Sequence, residues 1–182
     1  MTERSGFPPV VGKKPESLIL GSMPGEESLR QGEYYAHKRN SFWTILCRLL
    51  GCDPANLDYE GRTKLLEHNH LALWDVLKSC RRAGSLDSSI ETETIIVNDF
   101  NSLYQQYPSI RTVFFNGTRA EQEYRKRVLP FLKDEGARMK LIRLPSTSPA
   151  MAMMKVEEKI EKWSLILKYS NCFRNPINSV DT

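Results

Sequence analysis

Cysteine is scarce in this chain of 182 residues, and its four cysteines form no Cys-x-x-Cys pair. They are Cys47, Cys52, Cys80 and Cys172. No cluster of cysteine or histidine lies near them that would complete a set of zinc ligands. This scarcity argues against a zinc ribbon and against a disulfide framework, and it favours reduced thiols in a cytosolic protein.

Long apolar runs are also missing from the sequence. The first residues lack the apolar core of about 7–15 residues that a signal peptide needs. No run approaches the roughly 18 apolar residues of a membrane span. We therefore expect an intracellular protein without a membrane partner, located in the cytoplasm and associated with the nucleoid if the source is bacterial.

The overall composition is that of an ordinary globular protein, with 40% hydrophobic and 26% charged residues. The formal net charge of +4 permits a nucleic-acid partner without requiring one. We predict a single domain over 17–169, a flexible arm over 1–16 that is rich in proline, glycine and lysine, and a frayed tail over 170–182.

Four short apolar runs alternate with helical patterns along the chain. The runs predict strands over 17–23, 70–76, 109–116 and 137–145. Helices are predicted from Asn40 to Gly51, over 98–107 and over 150–168, and a charged stretch follows Gly117. The last of these helices has an apolar stripe that we assign to the core, formed by Met153, Val156, Ile160, Trp163 and Leu167. The alternation predicts an α/β fold with a parallel sheet, whose ligand would lie at the carboxyl ends of the strands.

The first strand runs into an unusual segment. Residues 21–25 form a Gly-x-x-Pro-Gly turn, in which glycine lets a ligand approach the backbone and proline stiffens the corner. Turn statistics alone favour an ordinary turn at the end of a strand. Tyr34 and Tyr35 follow, and then His37 and Asn40. The tyrosines fit either core packing or a flat wall on which a nucleobase stacks.

Together with three later segments, this region resembles the uracil-DNA glycosylase superfamily. The matching segments are GSMPG with YYAHKRNSFW, LALWDVLKSCRRAGSLDSSI at 71–90, VFFNGTRA at 113–120 and LPSTSPA at 144–150. Within that superfamily the double tyrosine is most similar to the hypoxanthine-DNA glycosylase (DNA-deoxyinosine glycosylase) branch, and the resemblance extends from about Ser17 to Trp163.

The resemblance implies a fold and an activity. The fold would be a three-layer α/β/α sandwich with a short, mainly parallel central sheet. The activity would be that of a monofunctional DNA glycosylase of base-excision repair, which flips a deaminated base out of the helix and hydrolyses its N-glycosidic bond. Such an enzyme needs no cofactor and no metal, its partner is DNA that contains a deaminated base, and we expect a monomer.

The resemblance also identifies a catalytic residue. Better-known branches carry Asp, Asn or Glu at the position of Met23, where that side chain holds the attacking water, and a thioether cannot replace it. The hypoxanthine branch places its catalytic Asn at the position of Asn40. On local sequence alone Asn40 is first of all a helix N-cap, and the two roles are compatible. Leu144 stands where related enzymes often have a His that donates to the base, so another group must stabilise the leaving base.

Further site residues follow from the same motifs. The predicted base pocket consists of Gly21, Ser22, Met23, Tyr35, Asp75 and Asn116. Tyr35 would stack on the base, whereas Asp75 and Asn116 would read its edge or serve only as strand-end turn residues. His37 would support Asn40.

The predicted DNA-binding residues are Lys78, Arg81 and Arg82 beside the second strand exit, and Ser146, Thr147 and Ser148 in a loop held between two prolines. The alternative for the three basic residues is a solvated face.

Three other functions remain open at this stage. The first is a mismatch-directed uracil glycosylase, which differs only in the base removed. The second is a catalytically silent nucleic-acid-binding module on the same fold. The third is a hydrolase that uses Ser22 or Ser28 with His37, although the chain has no Gly-x-Ser-x-Gly elbow.

Overall fold

The structure is a computed structural model and describes residues 2–133, 138–151 and 153–169. In chain order the strands are β1 (Thr2–Ser5), β2 (Ser17–Gly21), β3 (Leu71–Asp75), β4 (Leu77–Arg82), β5 (Ile96–Val97), β6 (Thr112–Asn116) and β7 (Lys140–Leu144). The helices are α1 (Glu26–Gln31), α2 (Phe42–Leu49), α3 (Tyr59–His68), α4 (Phe100–Gln106), α5 (Thr118–Arg127), α6 (Val156–Trp163) and α7 (Leu165–Tyr169). None of the helices in these residues is long and apolar enough to cross a membrane.

The central sheet has the strand order β3-β2-β6-β7, and every neighbouring pair is parallel. Strands β2, β3 and β6 are short apolar runs because a parallel strand covered by helices is buried on both faces, whereas the edge strand β7 is partly exposed. Every residue of β2 and β3 is buried. The α/β class and the four predicted strands are therefore confirmed, and the strand-final residues Gly21, Asp75, Asn116 and Leu144 lie along one edge.

A second, antiparallel sheet of order β1-β4-β5 was not predicted. In it Thr2–Ser5 pairs with Ser79–Arg82. Val10 adds two backbone hydrogen bonds of 2.9 Å with Leu73. The prediction of a flexible arm over 1–16 thus differs from the structure at residues 2–5, which are strand. The pairing escaped sequence analysis because Thr-Glu-Arg-Ser carries no apolar alternation.

Aromatic side chains connect the start of α2 to the core. Phe42 makes an edge-to-face contact with Trp163 of α6, with ring centroids 5.8 Å apart. The indole Nε1 of Trp43 donates to the backbone oxygen of Tyr34 at 2.8 Å. These contacts fix the segment that precedes α2 against the body of the protein.

The C-terminal helix is shorter than predicted. The interval 150–168 contains α6 and α7, and α6 begins only after Lys155. Met153 lies before this start and is 98% exposed, so its assignment to the core is wrong. Trp163 is fully buried, as predicted. The predicted tail over 170–182 and Cys172 lie outside the described residues.

Candidate active site

Two side chains approach the Cα atom of Gly21 closely at the carboxyl edge of the sheet. Gly21 is paired with Asp75 across the β2–β3 ladder. A Cβ atom on Gly21 would lie 2.3 Å from Asp75 Oδ1 and 2.8 Å from the Tyr35 hydroxyl. The absence of a side chain at Gly21 therefore allows the carboxyl group and the hydroxyl group to come close together over the backbone.

Tyr35 is held in an unusual conformation beside this point. Its φ of 55° is one that L-residues rarely adopt. Its ring stacks on Phe42 with centroids 3.9 Å apart and planes 20° apart. A base could thus stack only on the ring face that Phe42 leaves free.

The hydroxyl of Tyr35 is buried and has no hydrogen-bond partner among the described residues. Burial raises the pKa of this phenol, and the nearby Asp75 adds to the effect. The amide of Asn116 lowers that pKa, although it does not complete a hydrogen bond with the hydroxyl. The phenol is therefore neutral at physiological pH.

Asp75 ends β3 with a carboxyl group that is almost completely removed from solvent. The residue is 3% exposed, and its Oδ2 atom has no hydrogen-bond partner in the described part of the chain. Burial and, to a smaller extent, the negative charge of Asp87 raise the pKa of Asp75 to about 8, although Arg82 acts in the opposite direction. A carboxyl group with this pKa carries a proton at neutral pH and can donate it.

Asp87 is a site residue that sequence reasoning missed. Its Oδ1 accepts a hydrogen bond of 2.8 Å from Ser22 Oγ, which follows β2 directly. Burial raises the pKa of Asp87, whereas Ser22, Arg82 and Arg119 lower it. The only sequence signal was its position inside the matched segment 71–90, where an acidic residue in a polar loop looks like an ordinary surface residue.

Arg82 does not lie on the surface, and its assignment to DNA binding is wrong for this conformation. It is 1% exposed, and its Nη2 donates to the backbone oxygen of Pro24. Its Nε and Nη1 atoms have no partner within the described ranges. In β4 only Lys78 and Arg81 are exposed, whereas Arg82, like Ser79 and Cys80, is buried.

Asn40 lies just before Ser41, the N-cap position of α2, and its side chain bonds to the N–H of the first helical residue. Its Oδ1 accepts from the Phe42 N–H at 3.0 Å, and its own N–H donates to the backbone oxygen of His37 at 2.7 Å. The exposed His37 accepts from the Arg39 N–H through Nδ1 at 3.2 Å, which places it in the same turn. The capping alternative is thus present, and the carboxamide oxygen keeps a second lone pair with which it can accept from water.

Asn116 and Thr147 join two strand exits. Asn116 Nδ2 donates to Thr147 Oγ1 and the Thr147 N–H donates to Asn116 Oδ1, both at 2.9 Å. The Thr147 carbonyl in turn accepts from the Ser41 N–H at 3.1 Å. This network links the residue after Asn40 to the ends of β6 and β7.

The same hydrogen bonds hold the predicted phosphate-binding loop, Ser146 to Ser148, in place through Thr147. Thr147 is 1% exposed and its hydroxyl is occupied by Asn116, so its predicted contact with phosphate is wrong here. Ser146 and Ser148 are half-buried. Helix α6 holds the loop from behind: Trp163 Nε1 donates to the Pro145 oxygen at 2.9 Å and Lys159 Nζ donates to the Met151 oxygen at 3.0 Å.

Two strand-exit residues are apolar and buried, namely Met23 and Leu144. Neither can hold a water molecule or donate to a base. In the part of the chain that the structure describes, no three His, Cys, Asp or Glu side chains form a group that could hold a metal ion. The polar side chains near this edge include those of Tyr35, Asn40, Asp75 and Asn116. Ser22 and Asp87, which are bonded to each other, lie next to them in the same set of segments.

The parallel sheet and the residues that follow its strands can now be compared with known protein families. The family model of the Uracil DNA glycosylase superfamily matches residues 8–168. The chain belongs to this superfamily.

Two individual proteins with similar sequences are both named hypoxanthine DNA glycosylase. The chain is 37% identical over 166 residues to a hypoxanthine DNA glycosylase of Methanosarcina acetivorans, covering 91% of this chain and 99% of the relative. It is 38% identical over 140 residues to a hypoxanthine DNA glycosylase of Methanosarcina barkeri, covering 77% of this chain and 84% of the relative.

A solved structure is similar as well. A solution NMR structure from Methanosarcina acetivorans, provisionally named as a uracil DNA glycosylase, superposes with a TM-score of 0.74 at 34% identity. The superposition covers 91% of this chain and 99% of the chain in the NMR structure. The resemblance seen in the sequence is therefore confirmed.

Proposed function

We propose that this protein is a monofunctional DNA glycosylase of base-excision repair that removes hypoxanthine and leaves an abasic site. The proposal rests chiefly on one observation: the matched motifs meet at the carboxyl edge of the sheet. Gly21 packs against Asp75 and Tyr35, and Asn116 is bonded to Thr147. The relatives named as hypoxanthine DNA glycosylases support the choice of base.

In this proposal Asn40 holds the attacking water. Its Oδ1 is fixed by the Phe42 N–H at 3.0 Å, and the adjacent Ser41 is fixed by Thr147. A carboxamide held in this way aims its second lone pair without reorganising during the reaction. The transition state resembles an oxocarbenium ion, so the chemistry needs one positioned water at the sugar and stabilisation of the departing base.

The DNA partner would meet the exposed side chains of Lys78 and Arg81 and the half-buried hydroxyls of Ser146 and Ser148. Phosphate contacts of this kind fix the register of the duplex and carry no sequence information. We expect the protein to act as a monomer, without a metal or a cofactor.

The serine-hydrolase alternative has no support in the geometry. Ser22 Oγ donates to Asp87, and Ser28 Oγ accepts from the Ala36 N–H at 3.2 Å. The Nδ1 atom of His37 is occupied by the Arg39 N–H. No hydroxyl–imidazole pair is present among these described residues, so the nucleophile of such an enzyme is missing.

The test is excision from defined duplexes. The purified protein is incubated with duplexes that carry one inosine, uracil or xanthine, and abasic sites are then cleaved with alkali. We expect product from the inosine strand, and product without alkali would contradict the monofunctional assignment. Cleavage confined to uracil would replace hypoxanthine by uracil as the substrate, and no cleavage of any strand would leave only a DNA-binding module.

A further inference from the structure

The geometry points to Asp75 as the general acid of the reaction, the group that delivers a proton to the departing base. This inference rests on the proposed function and assigns the half of the chemistry that Asn40 does not perform. A general acid must reach the base, must carry a proton at working pH and must not be neutralised by a permanent partner.

The position of Asp75 meets the first requirement. Four residues end the strands of the parallel sheet, and of these Gly21, Asp75, Asn116 and Leu144 only Asp75 has an ionisable side chain. Its carboxyl group approaches Gly21 at the edge where ligands bind in parallel sheets. The Tyr35 ring, on which the base is proposed to stack, has its hydroxyl beside the same glycine.

The hydrogen bonding of Asp75 meets the third requirement. Its Oδ2 atom is buried and has no partner among residues 2–133, 138–151 and 153–169. A buried polar atom without a partner costs free energy, roughly 1–3 kcal/mol in proteins. Such atoms are retained in active sites, where a substrate group supplies the missing hydrogen bond.

The surroundings of Asp75 explain why it is protonated. Burial and the charge of Asp87 raise its pKa to about 8, against the opposing charge of Arg82. The other titratable groups that interact with it are Tyr34 and Tyr35 before α2, and Tyr59 of α3. Burial raises the pKa of all three phenols, so they stay neutral and leave Asp87 and Arg82 as the charges that tune this carboxyl group.

The step conserves atoms and charge. As the C1′–N bond breaks, its electron pair goes to the base, and the Asp75 proton goes to a ring nitrogen or a carbonyl oxygen of that base. Water forms the new C1′–O bond and releases one proton to solvent. The Asp75 carboxylate then regains a proton from solvent, and the free base leaves neutral.

The test is the pH profile of single-turnover excision of hypoxanthine from an inosine duplex. The wild-type rate should be constant below about pH 8 and should fall about tenfold per pH unit above it, because only protonated Asp75 is active. Asp75→Asn keeps the shape of the side chain but has no proton to give. It should lower the rate roughly 10²–10⁴-fold, abolish the alkaline fall and leave duplex affinity nearly unchanged.

A second variant tests the same idea without touching the acid. Asp87→Asn removes the negative charge that raises the pKa of Asp75, so the alkaline fall should move to lower pH, whatever happens to the plateau. Glu67→Gln is the matched control, since it removes an exposed carboxylate from α3 near the opposite edge of the sheet and should leave the profile in place.

The outcomes are distinct. A wild-type rate in Asp75→Asn, or an alkaline fall that Asp87→Asn does not move, overturns the assignment of Asp75 while the glycosylase function stands. A wild-type protein that releases no base from any of the three duplexes overturns the proposed function itself.

Discussion

Gly21 shows how much of the candidate pocket depends on a single missing methyl group. The space over its Cα is filled by Asp75 Oδ1 and the Tyr35 hydroxyl, and both belong to side chains with little freedom to move. Asp75 ends β3, every residue of which is buried, and Tyr35 is stacked on Phe42. Any side chain at position 21 would separate the two groups.

Gly21→Ala is therefore expected to damage both activity and stability. Overpacking a site of this kind costs roughly 1–3 kcal/mol of unfolding free energy, and excision should fall because Asp75 and Tyr35 are displaced. Denaturant unfolding and single-turnover kinetics measure the two effects. Gly25→Ala is the control: its Cβ would meet only Ser85, at 3.5 Å, so its unfolding free energy should change far less. Equal losses in the two variants would show that the close approach at Gly21 has no special role.

Tyr35 is expected to act through its ring. Tyr35→Phe keeps the stacking on Phe42 and removes a buried hydroxyl without a described partner, so excision should stay close to wild type. Tyr35→Ala removes the stacking surface and should weaken the transition-state complex by roughly 1–3 kcal/mol. The measurement is kcat/KM on an inosine duplex. Equal losses in both variants would assign the role to the hydroxyl instead.

At the scale of secondary structure, the start of α2 carries the proposed water-holding residue. Asn40→Ala removes both the cap and the water ligand, and it should lower single-turnover excision roughly 10²–10³-fold with DNA affinity nearly unchanged. Asn40→Asp keeps an acceptor for the Phe42 N–H and for water, so it should retain part of the rate. A variant Asn40→Ala that lost about 1 kcal/mol of stability but kept its normal rate would be explained by capping alone.

Strand β4 separates two kinds of basic residue. Lys78 and Arg81 are exposed, whereas Arg82 is buried under the turn that follows β2. Lys78→Gln and Arg81→Gln should each lower affinity for all duplex sequences and reduce the slope of log K against log salt by about one. Arg82→Gln should instead lower stability, because it removes a buried hydrogen bond to Pro24. Salt titrations of binding and thermal unfolding distinguish the two effects, and an unchanged slope would make Lys78 and Arg81 ordinary solvated residues.

The same strand shows what sequence patterns can and cannot predict. Strands β2, β3 and β6 were predictable because a strand buried on both faces is a continuous apolar run. Strand β7 has two exposed charged residues and was predictable from its apolar residues Leu141, Ile142 and Leu144. Strands β1 and β4 are rich in charged residues and gain their stability from each other, so neither has a local signal. For the site, Gly21, Asn40, Tyr35 and Asp75 could be found from motifs. The inward direction of Arg82 and the contact between Ser22 and Asp87 could not, because both depend on where a loop distant in sequence packs.

For the molecule as a whole, the buried carboxyl groups make folding sensitive to pH. Asp75 has a pKa of about 8 in the folded state, above its ordinary value of 3.8, and burial raises the pKa of Asp87 as well. Between about pH 4 and about pH 8 the folded protein therefore binds more protons than the unfolded chain. The contribution of Asp75 to stability is fully present below about pH 4 and is lost as the pH rises towards about 8.

Asp75→Asn should consequently make the unfolding free energy less dependent on pH. From about pH 5 to pH 8 the unfolding free energy of the variant should rise relative to that of the wild type. The reason is that only the wild type has, at position 75, a carboxyl group that resists ionisation in the folded state. Urea unfolding at a series of pH values measures this difference. A constant difference across that range would mean that Asp75 ionises in the folded protein as it does in the unfolded chain.

The pairing of β1 with β4 has a practical consequence for anyone who prepares this protein. Thr2–Ser5 is hydrogen-bonded to the strand that carries Lys78 and Arg81, and Glu3 lies opposite Arg81. An affinity tag fused ahead of Met1 would emerge beside the proposed duplex-binding face. Residual tag residues, especially a run of charged or histidine side chains, would then change the measured salt dependence without any change in the enzyme itself. Binding constants should therefore be compared between tagged and cleaved preparations before any of them is attributed to Lys78 or Arg81.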